Sequence, residues 1–175
     1  LSGDIMSDVC VIGGGFSGVA SALSLAERGR DVVLLEANRI SWGASGRNGG
    51  QVLPGWSGEG EMVKQLGDRA RDFLRRTRYL GHEIIEKRIA DYAIDCDYVH
   101  GAATVALNAR QMAALEKEYD TAKSGGDASH FELVDAGAIR KYVVSDIYCG
   151  GLIDRRAAHC HPLNLCLGEA RAAAG

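Results

Sequence analysis

Between Ile12 and Val19 the chain reads IGGGFSGV, which places Gly13, Gly15 and Gly18 in the spacing Gly-x-Gly-x-x-Gly. Each position meets a different demand of a bound pyrophosphate. Gly13 permits a tight turn, Gly15 lets phosphates approach the backbone without meeting a Cβ, and Gly18 lets the following helix lie close to the preceding strand. The phosphates then sit in the turn that holds Phe16 and Ser17, at a helix N-terminus, where unpaired N–H groups and the helix dipole favour an anion. Glu36 lies 18 residues beyond Gly18. At that distance a carboxylate can accept hydrogen bonds from the hydroxyls of an adenosine ribose, and it repels a 2′-phosphate. Ala37 and Arg39 follow it, and Arg39 weakens that exclusion without reversing it. Glycines alone also suit a βαβ turn that binds nothing; a strand before, a helix after and an acid at this spacing favour a dinucleotide.

A second glycine loop, SWGASGRNGGQ, runs from Ser41 to Gln51. It leaves the C-terminal end of the second apolar run, the sheet edge where open α/β folds bind ligands. Gly43, Gly46, Gly49 and Gly50 permit close approach, and Ala44, Ser45 and the successive N–H groups can form an anion-binding concavity. Arg47 can serve a pyrophosphate or a flavin ring that becomes negative on reduction, while Asn48 and Gln51 can bond the polar edge of such a ring. A nicotinamide enzyme has no general need of this loop. FAD lies extended and requires contacts from pyrophosphate to isoalloxazine. An NAD-dependent dehydrogenase or reductase, resting on the first loop alone, is the alternative, and a nucleotide-binding module without activity is a third reading.

The elements that position these residues follow from periodicity. Val9–Ile12 and Val32–Leu35 are short runs without alternation, which predicts strands of a parallel sheet covered on both faces. Between them Val19, Ala22, Leu23, Leu25 and Ala26 keep helical spacing, and Gly29 stands where a C-terminal cap belongs. Residues 60–92 carry an apolar stripe near the 3.6 period, predicting one long amphipathic helix, or two interrupted at Gly81. Tyr98 to Leu107 reads as a strand; Asn108 then caps a helix that ends at Gly125 and Gly126. Pro162 starts a last helix. The fold class expected is α/β: a Rossmann-like FAD-binding βαβ domain, incomplete, with an inserted α+β portion. The divisions fall at 1–95, 96–148 and 149–175.

GGGFSGVASALSLAERGRDVVLLEA followed by GASGRNGGQ resembles the D-amino-acid-oxidase-like (DAO) family of FAD-dependent oxidoreductases, with RNGGQ most like its γ-glutamylputrescine oxidase branch. The resemblance is close over residues 8–53 and returns at GGLIDRRAAHCHPLNLCLGEARAAAG, residues 150–175; between them it is one of pattern. It implies FAD as cofactor, bound by the residues named above, and oxidation of a C–N bond in a small amine or amino acid. Hydride passes to flavin N5 and the imine is then hydrolysed. It also implies that residues 96–148 contribute to a substrate region, and that this is an N-terminal fragment of a longer enzyme, inactive without its C-terminal part.

No acid–base pair stands out as catalytic, which suits chemistry carried by a cofactor. His159, Cys160 and His161, with Cys149 and Cys166 near, match no standard zinc spacing, so no metal is expected. Trp42 and Trp56 flank the second loop as flavin neighbours or packing residues. A net charge of -3 gives no footprint for nucleic acid, and the arginines 69, 71, 75, 76 and 78 stand among acids, as on a solvated face. No apolar segment reaches the roughly 18 residues that span a bilayer. Five scattered cysteines fit reduced thiols in a cytoplasmic protein.

Overall fold

The computed structural model describes residues 3–126 and 128–175. In chain order its elements are β1 (Val9–Ile12), α1 (Phe16–Ala26), β2 (Val32–Leu35), β3 (Gln51–Val52), α2 (Glu59–Leu66), α3 (Asp68–Thr77), α4 (Leu80–Asp91), β4 (Val99–Ala106), α5 (Ala109–Ser124), β5 (Phe131–Asp135), β6 (Gly150–His159) and α6 (Pro162–Ala174), with 3₁₀ turns at Ala44–Gly46 and Ala138–Lys141. They form two compact units, Leu1–Tyr98 with Cys160–Gly175, and Val99–His159.

In the first unit β1 and β2 pair in parallel, Val9 with Val32 through Ile12 with Leu35. α1 packs on this sheet and α6 packs on α1. Val19, Ala22 and Leu23 are the buried residues of α1, as their spacing requires. The expectation of strands covered on both faces is not met. Cys10, Ile12 and Leu35 are exposed, Ile12 at 86%, because among the described residues no layer covers the side of the sheet away from α1. α1 ends with Gly29 at φ +71°, its N–H bonded to the Ala26 carbonyl.

The stripe over 60–92 is three helices, and the breaks are not at Gly81. α2 stops at Gly67, whose φ of +70° and ψ of −157° lie where a side chain is strained. α4 starts after Tyr79, a buried ring set edge-on to His82, and Gly81 falls inside its first turn. Ile94, Cys96, Cys160 and Leu165 make a core cluster, with Phe16, Val52, Ile85 and Ile89 packed against it.

In the second unit β6 is central and antiparallel to both neighbours. It pairs with β4 from Ala106–Gly150 to Val99–His159, with a bulge between His100 and Ala102, and with β5 from Asp135–Gly150 to Phe131–Asp154. One face packs on α5 through Ala106, Leu115 and Leu152; the other packs Val134, Ile139 and Ile153 together. The unit boundaries therefore fall at 98/99 and 159/160, where the sequence pattern puts 95/96 and 148/149. β6 goes with the strands it is bonded to along its whole length. Asn108 caps α5 by accepting from the Gln111 N–H at 3.0 Å, while the Gln111 side chain accepts from the Leu107 N–H at 2.7 Å, a reciprocal cap. His161 caps α6 through Nδ1, which accepts from the Asn164 N–H, and Pro162 takes the first helical position.

Candidate cofactor site

The two glycine loops lie in the first unit. β1 runs into Gly13, whose N–H donates to the Leu35 carbonyl at 2.8 Å and whose φ of +103° makes the turn. Next, the Gly14 N–H donates to Glu36 Oε2 at 2.7 Å, and Glu36 Oε1 accepts from the Asn38 N–H at 2.8 Å. These bonds, that of Gly14 first, hold the Glu36 carboxyl below its ordinary value, so it stays an anion. A carboxylate has about four acceptor positions. The Gly14 and Asn38 N–H groups use two and the Ala37 N–H bears on a third, which leaves room for a hydroxyl donor.

Val19 donates to the Gly15 carbonyl at 2.9 Å, the first such bond of α1. The N–H groups ahead of it, those of Ser17 and Gly18, have no acceptor within the helix. Gly18 is where helix and turn come closest: a Cβ there would stand 1.8 Å from the Gly13 carbonyl oxygen.

The second loop is fastened to the first at two points. Ser45 Oγ accepts from the Phe16 N–H at 3.0 Å, and the Ser41 N–H donates to the Gly14 carbonyl at 2.8 Å. Gly15 faces this join, since a Cβ on it would lie 2.8 Å from Ser45 Oγ. Asn48 works within its own loop: Nδ2 donates to the carbonyls of Ala44 (3.1 Å) and Ser45 (2.9 Å), and Oδ1 accepts from the Gly50 N–H (2.8 Å). One acceptor position of its amide is left. Gly50, at φ +71°, is held by the Cys160 N–H bonded to its carbonyl at 2.9 Å, and a Cβ would fall 2.0 Å from the Cys160 oxygen.

Arg47 is exposed and its guanidinium lies 4.6 Å from the centre of the Trp42 ring, a cation–π contact. Trp56 belongs elsewhere, donating from Nε1 to Thr77 Oγ1 and tilted against Phe73. Ser17, Ala37, Arg39, Ala44, Gly49 and Gln51 are all exposed, and Arg39 has no ion-pair partner among the described residues. The structure thus brings Gly13, Gly15, Phe16, Gly18, Glu36 and Ser45 into one connected cradle. Arg47, Asn48, Gly49, Gly50 and Gln51 continue from it along the second loop.

Beside that loop is a cavity of about 440 Å³. Phe16, Val52, Ile84, Ile85 and Leu165 give it apolar walls, and Arg88 with Glu169 gives it a charged end. Arg88 Nη1 donates to Glu169 Oε1 at 3.0 Å and Nη2 donates to Ser24 Oγ at 2.7 Å, while Glu27 lies 3.4 Å away; the pair ties α4 to α6 and α1. His82 is also buried, its Nε2 2.9 Å from the Val52 carbonyl, which can only accept, so Nε2 carries the proton. Sequence reasoning missed all three. Their signal was present: Arg88 stands on the apolar stripe of Ile84, Ile85 and Ile89, and Glu169 in the run LNLCLGEARAAA.

Of the residues weighed as metal ligands, His161 caps α6, Cys160 and Cys166 are buried in packing, and His159 lies in the second unit. Among the described residues no helix is long and apolar enough to cross a membrane.

A dinucleotide with an extended second half fits this arrangement: free N–H groups at a helix start, an anionic carboxylate with open acceptor positions, and a second loop bonded to the first. Comparison with known proteins agrees. Residues 8–175 match the family described as FAD dependent oxidoreductase (DAO). The chain is 48% identical over 173 residues to the gamma-glutamylputrescine oxidoreductase of Escherichia coli (strain K12), covering 98% of this chain and 40% of that protein. It is 45% identical over 168 residues to the probable oxidoreductase OrdL of Haemophilus influenzae, covering 95% and 39%. The chain therefore spans about 40% of the length of these curated relatives. In fold it is similar to the glycine oxidase of Bacillus cereus, with a TM-score of 0.75 at 22% identity over 97% of this chain and 44% of that one. It is equally similar to the L-amino acid deaminase of Proteus vulgaris, with a TM-score of 0.75 at 20% identity over 99% and 39%.

Proposed function

The chain belongs to the FAD dependent oxidoreductase family, and from that premise we propose that its first unit holds FAD for the oxidation of a C–N bond in a small amine or amino acid. The observation that carries the reading is the join between the two glycine loops, Phe16 N–H to Ser45 Oγ and Ser41 N–H to the Gly14 carbonyl. One loop alone serves any dinucleotide. Two loops bonded together serve a cofactor that runs from one to the other.

In this reading Glu36 holds the adenosine ribose, and the first turn of α1 with Ser45 holds the pyrophosphate. Arg47 and the stretch Gly49–Gln51 hold the flavin end, and Asn48 acts by keeping that stretch in shape. Bound FAD supplies the two-electron acceptor. The chain's own residues bind, orient and exclude water, and the imine left by C–N oxidation is open to hydrolysis. The amine substrate rests on the name of the 48% identical relative. The remaining partners are that small amine and whatever complements the chain in relatives more than twice its length. The five free thiols fit a reducing compartment, and we place the protein in the cytoplasm.

An FAD titration read by flavin fluorescence tests the assignment. Saturable binding is expected, weakened by Arg47→Ala and by Glu36→Ala and left unchanged by Arg75→Ala on the exposed face of α3. Saturable NAD binding in place of FAD, or equal affinity of the Arg47 and Arg75 variants, rejects it.

A further inference from the structure

Two of the buried thiols are neighbours. Cys96 stands just before β4 and Cys160 directly after β6, and both belong to the first unit, where they pack in one buried cluster with Ile94 and Leu165. The backbone holds them side by side. The His161 N–H donates to the Cys96 carbonyl at 2.7 Å, so the Cα atoms of Cys96 and Cys160 are each only two bonds from one end of that hydrogen bond. A disulfide asks for this kind of adjacency, with Cα atoms roughly 4.4–6.8 Å apart.

The two thiols differ in access and in acidity. Cys160 lines the cavity of about 440 Å³ beside the second glycine loop, together with Asn48, Gly50 and Gln51, whereas Cys96 is 2% exposed. Burial pushes both thiols up, and the Cys96 S–H beside Cys160 draws Cys160 back down. A small oxidant in the cavity thus meets first the sulfur whose ionisation its neighbour favours. Cys166 is fully buried and lies outside this cluster.

We propose that Cys96 and Cys160 form a dithiol site oxidised by hydrogen peroxide, with Cys160 as the attacking sulfur and Cys96 as the resolving one. The Cys160 thiolate attacks one peroxide oxygen, the O–O bond breaks, and the departing hydroxide takes up the thiol's proton as water, leaving a sulfenic acid. The Cys96 sulfur then attacks Cys160, the S–O bond breaks, and the hydroxyl leaves with the Cys96 proton as a second water. Two thiols and one peroxide become one disulfide and two waters. In a reducing compartment the pair rests as thiols and closes only transiently.

The bond is felt at the second glycine loop. The Cys160 N–H holds the Gly50 carbonyl at 2.9 Å, and a Cβ on Gly50 would stand 2.0 Å from the Cys160 oxygen, so the two backbones have no slack between them. Drawing the sulfurs together to about 2.05 Å displaces Cys160 and loosens that hold.

The test uses a chain carrying Cys10→Ser and Cys149→Ser, which removes the exposed thiols. It is treated with hydrogen peroxide, denatured in iodoacetamide and digested without reductant. Mass spectrometry is expected to find a peptide linked between Cys96 and Cys160, lost on treatment with dithiothreitol, with Cys166 alkylated as a free thiol. In NMR hydrogen exchange the Cys160 amide is expected to lose protection on oxidation and to regain it on reduction. With Cys96→Ala added, dimedone is expected to trap Cys160 as a sulfenic acid; with Cys160→Ala in its place, Cys96 stays a thiol. Melting curves confirm that these variants fold, and the linked peptide needs neither alanine variant. No linked peptide, a link to Cys166, unchanged protection of the Cys160 amide, or dimedone on Cys96 in place of Cys160 overturns the proposal.

Discussion

Gly18 lies inside α1, where alanine in place of glycine would ordinarily favour the helix by about 1 kcal/mol. The tertiary structure reverses that sign. A Cβ at this position would stand 1.8 Å from the Gly13 oxygen, 3.0 Å from the Gly13 carbonyl carbon and 3.5 Å from Val11 Cγ1. A tolerable C···O approach is about 3.3 Å, so α1 must withdraw on the order of 1.5 Å from the turn. The turn has little freedom to yield, because the Gly13 N–H is bonded to Leu35 at 2.8 Å. An approach of 1.8 Å to a backbone oxygen falls in the upper part of the about 1–3 kcal/mol that overpacking costs, about 2–3 kcal/mol, which exceeds the helical gain. Gly18→Ala is therefore expected to destabilise the protein by about 1–2 kcal/mol net. That corresponds to a fall in melting temperature on the order of 2–8 °C for a chain of this size. The same withdrawal carries the Phe16 N–H away from Ser45, so FAD affinity should fall with stability. Thermal and urea unfolding of wild type and variant, with an FAD titration on both, measure the two effects. A variant as stable as wild type, or more so, would mean that helix propensity governs the site and that the close approach of α1 to the turn is not what the glycine serves.

Arg88→Met should lower stability by about 3–5 kcal/mol, because Glu169, with its side chain 4% exposed, is left without its cation; adding Glu169→Leu should recover most of that loss in urea titrations. A double variant no more stable than the single one would contradict it. For Glu36 the folded carboxyl titrates below its ordinary 4.5, so on acidification the unfolded chain takes the proton first. Its contribution is present above about pH 4.5 and is lost as the pH falls through the folded value, so Glu36→Gln should lose less stability than wild type between pH 6 and pH 3.5. Identical losses would show that the bonds from Gly14 and Asn38 do not hold the anion. Burial pushes the Cys96 thiol up to about 11, and alkylation needs the thiolate. Brief iodoacetamide treatment at pH 8 should therefore label exposed Cys10 and Cys149 well before Cys96, as peptide mapping would show. Equal rates would be inconsistent with a buried Cys96 thiol.

What was legible in the sequence was local. The bounds of β1 and β2, the helix between them, the Gly29 cap and the Asn108 cap were all readable, because apolar spacing and capping act over a few residues of chain. The glycine spacing likewise announces a cofactor turn, since each glycine answers a demand made within that turn. The helix breaks were less legible: Gly81 sits comfortably in a first turn, and Gly67 breaks the chain only because it adopts a backbone conformation that the apolar stripe does not encode.

The rest was decided by contacts between distant residues. Phe16 meets Ser45 across 29 positions and Arg88 meets Glu169 across 81. An arginine on a helix reads as solvated until the fold places a buried carboxylate beside it. Asn48, read as a ligand contact, is held to its own loop by three hydrogen bonds, since an amide side chain in a glycine-rich turn finds backbone partners first. β6, read as the return to the first domain, belongs with β4 and β5 because strand pairing, which no local pattern specifies, is what fixes its place. The sequence by itself determined which residues were equipped to hold a dinucleotide; only the tertiary structure joined the two loops, since that join consists of hydrogen bonds between segments the chain keeps apart.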